Sequence, residues 1–207
     1  MRIDKAGWPF IASALVPASG LALLGVEWAA ALLTLLAVFF VFFFRDPERQ
    51  TPVDPRAVVS PADGRVLVAG VADPVAAPPG DWQQISIFLS PLDVHINRIP
   101  ISGRVLKVEY TPGRFLAAYR WEAAAQNERN DVWIDHNGQT AVFRQVVGVL
   151  ARRLVCRIRP GDEVRAGQRF GLMKFGSRMD VFLPAHVELL VRVGARVRSG
   201  ETVVATW

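Results

Sequence analysis

Apolar residues are unevenly spread along this chain. Trp8–Val26 and Trp28–Phe44 are almost unbroken apolar stretches, separated only by Glu27. Val38 to Phe44 contains five phenylalanines and no polar position, whereas a helix packed on a soluble core keeps a polar face. At 1.5 Å per residue the second stretch is about 26 Å long as a helix, close to a hydrocarbon core of roughly 30 Å. Trp8 and Trp28 stand at stretch ends, where interfacial aromatics collect, and Arg2, Lys5, Arg45 and Arg49 flank the pair. Residues 1–44 therefore read as a membrane-associated helical hairpin, spanning or dipping into one leaflet. The positive-inside rule puts both its ends on the cytoplasmic side of the cell membrane. A cleaved signal peptide accounts for the first stretch alone.

Residues 45–56 hold three prolines and read as an extended linker. From Ala57 the pattern changes to short half-buried strands: Val58-Val59, Arg65–Ala69, Gln84–Leu89, Gly103–Tyr110, Val132–Asp135, Thr140–Val149 and Leu154–Ile158. Asn137-Gly138 is a two-residue hairpin signal, which places His136 at an exposed turn. Only Phe115–Ala125 has a helical pattern. Phe170–Met173 and Val181–Pro184 flank Phe175-Gly176-Ser177-Arg178-Met179-Asp180, which reads as strand, tight turn, strand. The expected class is mainly β (α+β), with residues 57–207 forming the β-rich domain.

The C-terminal third repeats at an offset of 33 positions, Arg159–Gly167 aligning with Arg192–Gly200. Each copy sets glycines around a short basic turn before a strand. The repeat resembles the half-barrels of lipoyl- and biotinyl-type barrel-sandwich domains, with Gly176-Ser177 between the copies. A membrane-anchored carrier or adaptor domain without chemistry is one reading this likeness supports.

The formal net charge is +5, and most basic residues are arginine. This suits an anionic partner such as a membrane surface or a phosphate-bearing substrate. Nucleic acid fits poorly, because zinc-finger spacings, basic helices and aromatic-studded basic motifs are missing from the sequence. The single cysteine, Cys156, lies in a strand-like alternation and reads as a buried thiol in a reducing compartment. Three histidines and one cysteine show no metal-ligand spacing, so no metal is expected.

Four segments carry the chemistry: Ser60-Pro61-Ala62-Asp63-Gly64, Phe88–Pro100, Gln126-Asn127-Glu128-Arg129-Asn130 and Lys174–Pro184. In content and order they resemble the compact prokaryotic phosphatidylserine decarboxylases, over the chain from about Arg45 to its end. The resemblance implies a proenzyme. Ser177 attacks the carbonyl of Gly176, the resulting ester eliminates, and a pyruvoyl group is left on residue 177 as the covalent cofactor. The products are a β subunit, residues 1–176, and an α subunit, residues 177–207, held together as a heterodimer. Phosphatidylserine then forms a Schiff base with the ketone, loses carbon dioxide and is released as phosphatidylethanolamine. The same reaction on an archaeal-type ether lipid is open.

Within the resemblance, Asp63 takes part in activating the serine, and His95, in Asp93-Val94-His95, is the acid that protonates the carbanion. The longer decarboxylases carry a second histidine three positions on, where this chain has Arg98. The base for self-cleavage is therefore either His95 in a second role or Asp63 acting through water. Arg98 cannot be a base at ordinary pH and is assigned, with Arg178, to the substrate phosphate. Arg114, Arg120 and Arg129 are further residues able to meet anionic headgroups. A homo-oligomer is expected.

Overall fold

The computed structural model describes residues 2–149, 154–174 and 177–207. It divides into two compact units, residues 1–48 and 49–207.

The first unit is a helical hairpin, α1 (Trp8–Leu23) and α2 (Glu27–Phe43). Its open end is tied by two short antiparallel strands, β1 (Arg2–Ile3) and β2 (Arg45–Asp46), and by Asp4 N–H donating to Phe44 O at 3.0 Å. Gly7 is required there, since a Cβ would lie 2.6 Å from the Phe44 side chain. The burial pattern is inside-out for a water-soluble protein. Alanines 14, 18, 30 and 37 are buried between the helices, while Val16, Leu23, Trp28, Leu32 and Leu35 are exposed. Small residues inside and large apolar ones outside is the packing that lipid favours. Lys5–Leu23 is long and apolar enough to cross a membrane, and Glu27–Phe43 is shorter.

The second unit is built from strands, with one turn of helix. Its elements are β3 (Ala57–Val59), β4 (Gly64–Val71), β5 (Trp82–Leu89), β6 (Ile96–Arg98), β7 (Gly103–Thr111), α3 (Ala123–Gln126), β8 (Arg129–His136), β9 (Gln139–Val146), β10 (Leu154–Cys156), β11 (Glu163–Val164), β12 (Arg169–Met173), β13 (Ser177–Pro184), β14 (Glu188–Leu189), β15 (Arg196–Val197) and β16 (Val203–Thr206). Among the described residues they form an eight-stranded sheet, β11-β7-β8-β9-β13-β5-β4-β15, and two three-stranded sheets, β10-β12-β6 and β14-β16-β3. One face of the large sheet supplies Val66, Ile85, Ile87, Val132, Ile134, Phe143, Met179 and Val181 to a single core, which Phe170, Met173 and Val204 of the small sheets complete.

The strand order reads the same from either edge, and the backbone contacts repeat with it. Gly161 N–H donates to Val105 O, and Gly194 N–H to Val66 O. Gly167 N–H donates to Ile99 O, and Gly200 N–H to Ser60 O. A Cβ on Gly64 would collide with Phe88 O, and one on Gly103 with Asp135 O. Besides the repeat at 33 positions there is thus a second one, Gly64-Arg65-Val66-Leu67 against Gly103-Arg104-Val105-Leu106. Phe143 and Val181 are equivalent residues and pair with each other, so a pseudo-twofold axis passes between β9 and β13. One copy, β6 to β12, is contiguous. The other is β3–β5 plus β13–β16, and the first is inserted at the point where β5 would turn into β13.

Three sequence expectations change. Asn137 and Gly138 (φ 53° and 83°) form the expected hairpin turn, but His136 is buried, with Nδ1 2.8 Å from Ser102 O and its ring against Trp207. The helix is confined to Ala123–Gln126, because residues 115–122 fold into turns tied to Asn127. Ser177–Asp180 is strand rather than turn, and the strands either side of the Gly-Ser pair enter different sheets, so no hairpin joins them.

Candidate active site

The four sequence segments meet at one end of the large sheet. Ser60–Gly64 leads into β4, the loop after Leu89 leaves β5, Gln126–Asn130 enters β8, and Ser177 opens β13. Their junctions are in register: Arg65 pairs with Phe88, Phe88 with Arg178, Arg178 with Val146, and Val146 with Arg129. Gly64 is needed because β4 approaches the Phe88 carbonyl too closely for any side chain.

Ser177 is completely buried and pairs with Leu89. Alternation along β13 puts it on the core face with Met179, Val181 and Leu183. Its Oγ has no hydrogen-bond partner among the described residues. An unsatisfied buried hydroxyl is uncommon and costs about 1–3 kcal/mol. Gly176, the other half of the expected cleavage site, lies outside the described residues.

His95 is buried, and its Nδ1 lies 2.9 Å from the Asp93 carbonyl. A carbonyl only accepts, so Nδ1 is the donor in this contact. The Asp93 carboxylate closes the preceding turn by accepting from Ser90 N–H at 2.8 Å.

Asp63 accepts from the Arg49 guanidinium at 2.7 Å and from Ser199 N–H at 2.7 Å. Burial pushes its carboxyl above the ordinary 3.8, outweighing the pull of Ser199 and Arg49. Ser199 Oγ also donates to Pro61 O at 3.1 Å and lies 3.4 Å from Ile96 O, fastening the Asp63 loop to the strand that follows His95. Arg49 is forked, its other arm reaching Glu201 at 3.1 Å.

A cleft of about 630 Å³ opens beside the same end of the sheet, lined by Tyr110, Glu128, Asn130, Leu154, Cys156 and Lys174. Buried amides lead toward it: Gln145 Nε2 donates to Asn97 Oδ1 at 2.9 Å, and Asn130 Nδ2 to Gln145 Oε1 at 3.4 Å. Burial pushes the Cys156 thiol up, which suits packing rather than nucleophilic attack.

A family model described as phosphatidylserine decarboxylase matches residues 36–205. The chain belongs to the phosphatidylserine decarboxylase family. It is 45% identical to a phosphatidylserine decarboxylase proenzyme of Paramagnetospirillum magneticum, covering 98% of this chain and 86% of that one. Proenzymes of the same name from Solibacter usitatus (43% identical, 99% and 97% covered) and Geotalea uraniireducens (45%, 98% and 95%) match along nearly their whole length.

For a decarboxylase-family chain, the two arginines assigned to phosphate sit unexpectedly deep. Arg98 is buried, donates to Gly167 O at 2.9 Å and packs against Gly200, so that it staples the equivalent glycine turns of the two repeats. Arg178 lies on the face of β13 opposite to Ser177. It pairs with Asp180 at 2.6 Å and donates to Ser86 Oγ at 2.8 Å. Arg178 is therefore not grouped with Ser177 on the core face. Sequence reading missed Arg49, which looked like a flank of the membrane segment, and Ser199, which carries no motif. A basic residue in a proline-rich linker, 14 positions before Asp63, was the signal available for Arg49.

Proposed function

We propose that this chain is a self-processing phosphatidylserine decarboxylase whose pyruvoyl group derives from Ser177. The observation that carries the reading is the buried, unpartnered Ser177 hydroxyl at the sheet end where Asp63 and the His95 loop converge. A serine held for attack on its own preceding carbonyl needs a free lone pair and exclusion of water, and this position supplies both. Adding Ser177 Oγ to the carbonyl of residue 176 and breaking the C–N bond gives an ester. Loss of the Ser177 α-proton expels the residue-176 carboxylate. Water then replaces the nitrogen, which leaves as ammonia, and a ketone remains on residue 177. That ketone supplies the electron sink a decarboxylation requires.

In this reading Asp63, ionised and held by Arg49, is the base or the anchor of the base. His95 uses its Nε2 to receive and return a proton at the substrate carbon. The neighbouring cleft, with Glu128 and Lys174 on its wall, admits the serine moiety of the headgroup, whose ammonium and carboxylate carry opposite charges. The α1–α2 hairpin holds the protein on the cytoplasmic side of the membrane. Arg2, Lys5 and Arg45 supply the positive flank, since Arg49 is committed to Asp63. The palindromic strand order, with the glycine-turn repeats capping opposite sheet edges, supports a barrel-sandwich relationship to lipoyl-type domains.

Carboxyl-labelled phosphatidylserine tests the assignment. Purified protein is expected to release labelled carbon dioxide and form phosphatidylethanolamine, and hydroxylamine, which traps ketones, is expected to abolish both. Release that survives hydroxylamine contradicts the reading.

A further inference from the structure

The sheet end that carries Ser177 also carries a rim of exposed apolar and aromatic side chains. Leu92, on the turn just after β5, is 68% exposed, and Val149, beyond β9, is 55% exposed. Between β7 and α3, Tyr119 and Trp121 are 63% and 70% exposed, with Phe115 also at the surface. Arg114 and Arg120 are exposed among them.

This segment is built rather than loose. Leu116 N–H donates to Asn127 Oδ1 at 2.9 Å, and Asn127 Nδ2 donates to both Leu116 O and Val147 O at 2.8 Å. Arg120 N–H donates to Ala117 O at 2.9 Å. The Tyr119 ring stands edge-on to Phe88 with centroids 5.9 Å apart, and Phe88 is paired with Arg178, the residue after Ser177. The fold thus fixes Trp121 and its neighbours outward, next to the reacting position, instead of turning them into the core.

Aromatic side chains interleaved with arginine prefer the headgroup zone of a bilayer, and a chain of net charge +5 is drawn to an anionic one. We propose that this rim, formed by Leu92, Phe115, Tyr119, Arg120 and Trp121, is a second membrane-contact surface, separate from the α1–α2 hairpin. It seats the Ser177 end of the catalytic unit in the headgroup layer of an anionic bilayer. The inference rests on the reading that the substrate is a membrane lipid. It adds that the headgroup is reached while the acyl chains stay in the bilayer.

The test uses the full-length protein in phosphatidylcholine–phosphatidylglycerol vesicles doped with phosphatidylserine, with short-chain phosphatidylserine below its micelle concentration as the soluble control. Phe115→Ser/Trp121→Ser is expected to raise the half-saturating surface concentration by ~10-fold, since two large apolar side chains then no longer leave water at the bilayer. Self-cleavage and turnover of the soluble substrate stay at wild-type level. The part of the tryptophan emission lost in Trp121→Phe is expected to be quenched by brominated lipid. Unchanged turnover on vesicles, an equal fall on both substrates, or an unquenched Trp121 overturns the docking surface. Quenching of Trp121 in a wild-type protein that decarboxylates neither substrate upholds the surface and overturns the functional reading instead.

Discussion

At Asp63 two demands oppose each other. Its carboxylate is gripped by Arg49 and the Ser199 amide, yet burial lifts its pKa above 3.8. Between that value and its folded pKa the native state holds a proton that the unfolded chain has released. Asp63's contribution to stability therefore falls as pH rises through this window, while the fraction of ionised base grows. Self-cleavage of fresh proenzyme is expected to accelerate with pH across the acidic range and level off once Asp63 is ionised. Asp63→Asn is expected to cleave at least ~100-fold more slowly, within the usual range for losing a general base. Cleavage followed by gel after a pH jump checks both, and an unchanged rate in Asp63→Asn removes Asp63 from the mechanism. The segments that bring Asp63, His95 and Ser177 to one sheet end could be picked out because each is a distinctive short motif. That Arg178 lies on the face opposite to Ser177 was not legible for a physical reason: the direction of a strand side chain depends on where the strand begins, and a one-residue uncertainty at Ser177 exchanges the two faces.

Among the elements, β13 is unusual in being buried on both faces. Its outward face carries a charge in register with charges on its neighbours. Ser86, Asp180, Arg144, Asp131 and Glu109 form a continuous row across five strands. Arg144 pairs with Asp131 and lies over the Phe182 ring, and Arg178 with Asp180, all nearly dry. Removing one member of such a pair strands the other, so Asp180→Ala is expected to cost about 3–5 kcal/mol. Arg178→Met/Asp180→Leu is expected to recover most of that. Urea titration in a Ser177→Ala background, which stays one chain, measures it, and a double variant as unstable as Asp180→Ala contradicts a structural role for the pair. The strands were readable from alternation, and the Asn137-Gly138 turn from its chemistry. The helical reading of 115–125 failed because the Asn127 side chain satisfies the Leu116 backbone that a helix would otherwise pair. The repeat of Gly64–Leu67 in Gly103–Leu106 was visible in the sequence, but four residues 39 apart gain meaning only once both glycines are seen under a neighbouring carbonyl.

For the whole molecule, the nested duplication explains how a chain can be cut in two and stay together. Residues 177–207 contribute β13 to the middle of the large sheet, flanked by β5 and β9, together with β14, β15 and β16. Their departure would expose two strand edges and a large part of the core. The proposed cut before Ser177 would fall where the outer copy resumes after the inserted one, a junction where continuous backbone is not required for pairing. The second unit is compact without residues 1–48, so their deletion is expected to leave a folded protein that cleaves itself, turns over soluble short-chain phosphatidylserine, and sediments with anionic vesicles less than the full chain but not with neutral ones. A deletion protein that does not cleave would show that the hairpin takes part in building the site.

The central claim is that Ser177 becomes a ketone, and intact mass spectrometry of the purified wild-type protein tests it most directly. The expected result is two species, residues 1–176 with an ordinary carboxyl terminus and residues 177–207 bearing an α-keto group in place of an amine, which co-purify until denatured. A single uncut chain of 207 residues that still decarboxylates phosphatidylserine would contradict it.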